Sequence, residues 1–225
     1  MIKMPFLYSM LPPSQYLIIP NPILYLSTGD SNVWTDSEST NDFTVYNSPS
    51  VTNSIYTFNG TTQYASLNTF SPSFTNFSIM MWVKLSGLNT NQYLFSMNRN
   101  LSNVANEGIF TITSSNRIVF WDYQTSTFGF SSSVSNNTTL TTGVWYCIGF
   151  VKNGLNGTYY LNGLPDGSTT ASLNVSYGTA SYSIGKDVRD NGSFLNGQVG
   201  HVLLYNQSFT ASQMLYNYRA TRVKF

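Results

Sequence analysis

Gly143-Val144-Trp145-Tyr146-Cys147-Ile148-Gly149-Phe150 opens a stretch that continues through Tyr159-Tyr160-Leu161-Asn162-Gly163, Ile184-Gly185-Lys186-Asp187 and Gly197-Gln198-Val199 to Leu204-Tyr205-Asn206 and Thr210. In order, it predicts a strand, an Asn-Gly hairpin, a second strand, a glycine-relieved turn, another strand and one capped helix. Asn162-Gly163 and Asn156-Gly157 are expected turns, because both central residues of a two-residue hairpin loop need positive φ. The helix is expected from Ala211 to about Ala220. Thr210 and Gln213 have capping-box spacing, and Phe209 and Met214 stand where a hydrophobic staple would clamp the entry.

Upstream the pattern is strands and turns. Phe77, Ile79, Met81, Val83 and Leu85 alternate with Ser78, Met80, Trp82 and Lys84, the period of a strand with one face in a core. Further strands are expected at Ile23–Leu26, Asn53–Phe58, Tyr64–Leu67, Tyr93–Met97, Ile109–Thr113, Arg117–Tyr123, Val144–Val151, Thr158–Leu161, Ser181–Ile184 and Val199–Tyr205. Residues 1–22 differ. Pro5, Pro12, Pro13, Pro20 and Pro22 interrupt Phe6, Leu7, Tyr8, Tyr16, Ile18 and Ile19, and proline blocks regular helix and central strand. The expected organisation is an extended Pro-rich arm (1–22), one β-domain (23–220) and a short basic tail (221–225).

Composition bounds the function. A chain of 225 residues can bury about 70% of its unfolded surface, enough for one sizeable core. Charged residues make up 8%, against about 25% in ordinary domains. With a net charge of +1, nothing favours steering toward nucleic acid or acidic lipid. Contacts must come from hydrogen bonds and aromatic faces, for which the 16 tyrosines are suited. The single Cys147 excludes an intrachain disulfide and sits in a predicted strand as a small buried hydrophobe. No apolar run approaches the ~20 residues of a membrane span, and the N-terminus lacks a small-x-small cleavage site.

The wording of residues 23–220 resembles the concanavalin A-like, laminin-G-type jelly-roll family. The resemblance is carried by Leu24-Tyr25-Leu26, by Trp34-Thr35-Asp36 (a turn in this reading), and by Tyr56-Thr57-Phe58-Asn59-Gly60-Thr61 through Gln63-Tyr64-Ala65. It is carried also by Phe77-Ser78-Ile79 with Trp82-Val83-Lys84, and by Leu204-Tyr205-Asn206 leading to Thr210-Ala211-Ser212-Gln213. It implies an all-β fold: a two-sheet antiparallel jelly-roll sandwich with one short C-terminal helix and the extended arm. Closing segments of this wording are frequent in phage and large-virus structural proteins. Gly200-His201 and Gln213 stand where the family often carries acids, which tells against the rim calcium common in the wider superfamily.

Candidate chemistry is sparse. Glycoside hydrolysis needs two carboxyl groups about 5–9.5 Å apart; Glu38 and Glu107 lie in different segments, and Asp122 is the acid of a predicted strand. His201 is the only histidine, so neither a triad nor a zinc site is expected. No enzyme activity is expected. Asp187, Asp190 and Asn191 share a rim loop that offers oxygen ligands for a weak calcium site, or simply an Asx-rich turn. Trp82, Trp121, Tyr123 and Tyr160 alternate away from more apolar strand faces and are the candidate carbohydrate-binding aromatics. The arm (Pro5, Phe6, Leu7, Tyr8, Pro12, Pro13, Tyr16, Ile18, Ile19) and the tail (Arg219, Arg222, Lys224) are the candidate partner-binding segments.

The leading expectation is a non-enzymatic structural or decoration protein of a virus particle, a minor capsid or capsid-associated component assembled in the host cytoplasm. Its partners would be other virion proteins or copies of itself, without nucleic acid or membrane insertion. The alternative is a lectin-like module for host glycan attachment.

Overall fold

The computed structural model describes residues 18–88, 90–98, 107–124, 127–130, 135–172, 174–177, 179–187 and 192–225. The strands, in chain order, are β1 (Leu24–Gly29), β2 (Val33–Asp36), β3 (Phe43–Tyr46), β4 (Ser50–Thr52), β5 (Ile55–Asn59), β6 (Tyr64–Phe70), β7 (Phe77–Leu85) and β8 (Gln92–Asn98). They continue as β9 (Glu107–Ile112), β10 (Ile118–Gln124), β11 (Thr127–Phe128), β12 (Trp145–Asn153), β13 (Asn156–Leu161), β14 (Leu164–Thr170), β15 (Ala180–Ile184) and β16 (Asn196–Tyr205). One helix, α1 (Ala211–Thr221), follows, with a 3-10 turn at Arg222–Lys224.

All the ladders are antiparallel and follow the order β11-β10-β9-β8-β15-β6-β3-β2-β1-β16-β7-β12-β13-β14, with β5 pairing β16 and β4. The path folds into a concanavalin A-like sandwich. Its front layer is β11-β10-β9-β8-β15-β6-β3, and its back layer is β1-β16-β7-β12-β13-β14. The corner is the β1–β2 pair, where the register shifts between Leu26 and Thr28. Between the layers lies one continuous core, with Phe77, Ile79, Met81, Val83 and Leu85 of β7 facing Phe95, Phe110 and Phe120 of the front layer. The alternation read for β7 therefore gives the observed core face.

The outer face of the back layer carries a second, smaller core. Met80, Trp82, Cys147, Val151, Tyr160 and Leu203 are buried there beneath Phe209 and Met214. The cap that starts α1 is the expected one: Gln213 N donates to Thr210 Oγ1 and Thr210 N donates to Gln213 Oε1. After the helix the chain turns back, so Phe225 stacks on Trp82 at 4.6 Å between centroids and leans on Trp145 at 4.7 Å. Gly200 permits this: a Cβ there would stand 2.3 Å from the Phe225 ring.

Three local expectations are revised and one holds. Trp34-Thr35-Asp36 is strand, not turn, and forms β2. β14 is missed in the sequence because Pro165 and Gly167 hide its pattern; among the described residues it pairs with β13 alone, and an edge is where a strand tolerates proline. Asn162 and Gly163 do make the β13–β14 turn with positive φ. Asn156-Gly157, by contrast, lies inside β13, and the turn is one step earlier at Gly154-Leu155.

Candidate functional site

The front layer's outer face gathers residues from strands far apart in sequence. Register aligns Tyr93 of β8 with Thr111 of β9, and Thr111 with Val119 of β10. The neighbouring row runs Trp121, Ile109, Ser96, Ser183, Ser66 and Thr44 across six strands. At the β8–β10 end these rows enclose a hollow of about 210 Å³ lined by Asn91, Tyr93, Thr111, Thr113, Val119 and Trp121. Trp121 and Tyr93 are half-buried, Asn91 is exposed, and Val119 forms the floor with 1% of its surface exposed. The lining therefore offers an aromatic wall, two threonine hydroxyls, a phenol and an amide, and none of these six carries a charge.

Gly185 and Lys186, just after β15, lie over the middle of this face. Ser96 Oγ donates to Ser183 Oγ, and Ser183 Oγ donates in turn to the Lys186 carbonyl, which fixes Gly185-Lys186 above them. The Ser193 carbonyl accepts the Tyr93 amide at 2.9 Å, beside the hollow's edge. Beyond it, Tyr46 and Tyr64 stack at 4.5 Å, and the Lys186 ammonium lies 4.8 Å above the Tyr64 ring.

The four candidate aromatics are not brought together. Trp121 lines the hollow. Tyr123 shares its strand, but its side chain lies outside the described residues. Trp82 and Tyr160 are each 5% exposed on the opposite layer. Trp82 stacks on Phe225 and donates from Nε1 to Thr221 Oγ1 at 2.8 Å. Those two rings pack under the helix and cannot meet a sugar. Sequence alternation identified Trp121 but could not find Tyr93, Asn91, Thr111 or Thr113, which become neighbours only through strand register.

The remaining candidates are also placed. Asp187 is 2% exposed, while Asp190 and Asn191 lie outside the described residues. Among the described residues no group of three or more His, Cys, Asp or Glu side chains could hold a metal ion. Asp122 points into the core and is fully buried; burial pushes its carboxyl up to about 6. Cys147 is buried, and desolvation raises its thiol well above the usual range. His201 is 4% exposed, with Nδ1 3.3 Å from the Tyr25 hydroxyl and Phe225 edge-on to the ring.

Of the arm, Pro5, Phe6, Leu7, Tyr8, Pro12, Pro13 and Tyr16 lie outside the described residues. Ile18 and Ile19, expected on a partner, pack instead on their own domain's second core. Ile19 N donates to Asn217 Oδ1 and Ile19 O accepts from the Tyr205 hydroxyl, both at 2.8 Å. In the tail, Arg219 ends the helix half-buried, whereas Arg222 and Lys224 are exposed. Among the described residues, no helix is long and apolar enough to cross a membrane.

A family model described as the concanavalin A-like lectin/glucanases superfamily matches residues 59–214. Among solved structures, Trypanosoma rangeli sialidase in complex with 2,3-difluorosialic acid has a TM-score of 0.66 at 14% identity. That match covers 89% of this chain and 33% of the sialidase chain, so this chain spans about a third of that enzyme. Domain 4 of the extracellular arabinanase of Geobacillus stearothermophilus, in complex with arabinotriose, gives 0.64 at 16% identity over 86% of this chain and 96% of that one. The heptameric SAP-like pentraxin of Limulus polyphemus gives 0.55 at 16% identity over 72% and 79%. At these identities the likeness establishes the fold. No curated protein sequence matches the chain.

Proposed function

Because the chain belongs to the concanavalin A-like lectin/glucanases superfamily, we propose that it is a non-enzymatic module that binds carbohydrate on the front layer's outer face. The observation that carries this reading is the hollow itself. Trp121 supplies a ring face for the C–H surface of a sugar, while Tyr93, Asn91, Thr111 and Thr113 offer donors and acceptors to its hydroxyls. A lining without charge suits a neutral ring. The arabinanase domain of the same fold was solved with arabinotriose, which supports a sugar ligand without fixing which one. Hydrolysis is not proposed: Asp122 is turned into the core, away from the hollow, and none of the six lining residues is a carboxylic acid.

The test is a glycan array followed by calorimetry on the folded chain and on Trp121→Ala. Binding by the native chain that falls at least ten-fold in Trp121→Ala upholds the reading. No glycan bound, or binding that Trp121→Ala leaves intact, overturns it.

A second reading, a structural component of a virus particle, is favoured by how the arm is anchored. Main-chain bonds at Ile19 seat the end of the arm against Asn217 of α1 and Tyr205 of β16. An apolar, Pro-rich segment held at one end can bind a neighbour at low ordering cost. Removing residues 1–17, while keeping Ile18 and Ile19 on their seat, should abolish assembly and leave the sandwich folded. Unchanged assembly would overturn this reading.

A further inference from the structure

Two residues with charged side chains point from opposite layers into the space between them. Lys152 on β12 and Asp122 on β10 both have no exposed surface. Interior charge is costly and is retained only where something compensates or uses it. Lys152 follows the inward-facing Ile148 and Phe150 along its strand. Its Nζ donates to Thr75 O at 2.9 Å and to Asn174 Oδ1 at 2.5 Å. The rings of Phe130 and Tyr177 each lie 6.0 Å from the same nitrogen. Asp122 accepts the Tyr177 hydroxyl at 2.6 Å and the Phe130 amide at 2.5 Å. Lys152 and Asp122 thus approach the same ring, that of Tyr177, and Asn174 is bonded to Lys152.

We propose that Lys152 and Asn174 are the site of an intramolecular amide (isopeptide) cross-link, formed with Asp122 as the proton carrier. The amine already touches the amide oxygen, and the carbonyl carbon is one bond beyond, so the reacting groups are held together. An amine becomes nucleophilic when it is neutral, and a desolvated aromatic pocket favours that form. Burial brings the amine down to about 8 and the carboxyl up to about 6, against 10.5 and 3.8 for the free groups. Both shifts go in the direction that favours passing the proton from Lys152 to Asp122.

The step balances without an oxidant or reductant. The Lys152 ammonium gives a proton to the Asp122 carboxylate, and the neutral Nζ adds to Asn174 Cγ while Asp122 protonates the carbonyl oxygen. The adduct then collapses: the Cγ–Nδ2 bond breaks, Nδ2 leaves as ammonium, and Asp122 is again a carboxylate. Asn174 is exposed apart from this contact, so the leaving group has a way out. It belongs to the segment joining β14 in the back layer to β15 in the front layer. The cross-link would therefore tie the crossing to β12, in a chain whose single cysteine is buried and unpaired.

Intact-mass spectrometry of the denatured chain, after prolonged incubation of the folded protein at neutral pH, tests this directly. The expected mass is that of the sequence less one ammonia, with a proteolytic fragment joining the Lys152 peptide to the Asn174 peptide. Asn174→Ala should restore the mass predicted from its own sequence, and so should Asp122→Ala if it folds. An unmodified native mass overturns the proposal. So does an ammonia loss that maps to a succinimide at an Asn-Gly turn instead of to a branched peptide.

Discussion

On β7 and β13 the outward residues Trp82 and Tyr160 lie beneath α1 and Phe225, whereas on β10 the outward Trp121 lines an open hollow. The strands carrying them read alike: an aromatic residue placed opposite a strongly apolar face. What separates them is the cover. The chain spends its only helix among the described residues, and the turn after it, on the back layer. Among the described residues, the turn after β15 lies over the front layer, with the Lys186 carbonyl held by Ser183. An aromatic residue beneath a dedicated cover is a packing residue; one on the rim of a hollow can serve as a binding wall.

The sharpest way to break this contrast is to remove the ring on each face. Trp82→Ala deletes a buried indole, its stack with Phe225 and its bond to Thr221, and should cost about 3–5 kcal/mol of unfolding free energy. Trp121→Ala takes a half-buried wall from a solvent-facing hollow and should cost less than about 1 kcal/mol. Denaturant titrations of both variants measure the difference. Equal losses would mean that the hollow is part of the core and that its aromatic wall is structural.

A smaller effect should come from the seat of the tail. Gly200→Val places atoms where the Phe225 ring now lies, 2.3 Å from the position of a Cβ. Overpacking of this kind costs about 1–3 kcal/mol. The cheapest relief is to lift the tail, because Phe225 is the far end of a short turn. The variant should therefore become sensitive to proteolysis after Arg222 and Lys224 while β16 stays protected from hydrogen exchange. Uniform loss of protection across the sandwich would show that the tail is integral to the core instead of a cover laid on it.

Much of this contrast was legible beforehand, and the limits have physical causes. Phe77 to Leu85 could be read because alternation over nine residues picks out the face between the layers, although the opposite face is buried too, beneath the helix. Thr210 and Gln213 could be read because a capping box is local. Leu164 to Thr170 could not, since an edge strand may carry Pro165 and Gly167 without losing a central ladder bond. The hollow was half legible: alternation gives Trp121, but Tyr93 and Thr111 reach it only through pairing between strands remote in sequence. Which aromatic face would be covered was not readable, because that depends on where the helix docks. Gly200 was the one clue to the seat, and a lone glycine in a strand signals close approach without naming what approaches.

The smallest expected effect concerns acid, where two buried groups pull in opposite directions. His201 lies under the tail with Tyr25 on one side and Phe225 on the other, and its Nε2 has no hydrogen-bond partner. Burial, helped by the nearby Lys224 charge, lowers its value from 6.5 to about 3. The unfolded chain therefore takes up the proton first. His201's contribution is fully present above 6.5 and is lost as the pH falls toward 3. Asp122 is raised by burial from 3.8 to about 6, so its protonated form is favoured by folding, and stability falls as the pH rises through that window. Across the overlap of the two windows the slopes partly cancel, and the native chain should show a shallow thermal-midpoint profile from pH 4 to 6. His201→Gln removes the first slope and should leave stability falling as the pH rises there. A parallel profile in His201→Gln would mean that the histidine titrates alike folded and unfolded, and hence that the tail does not keep water from it.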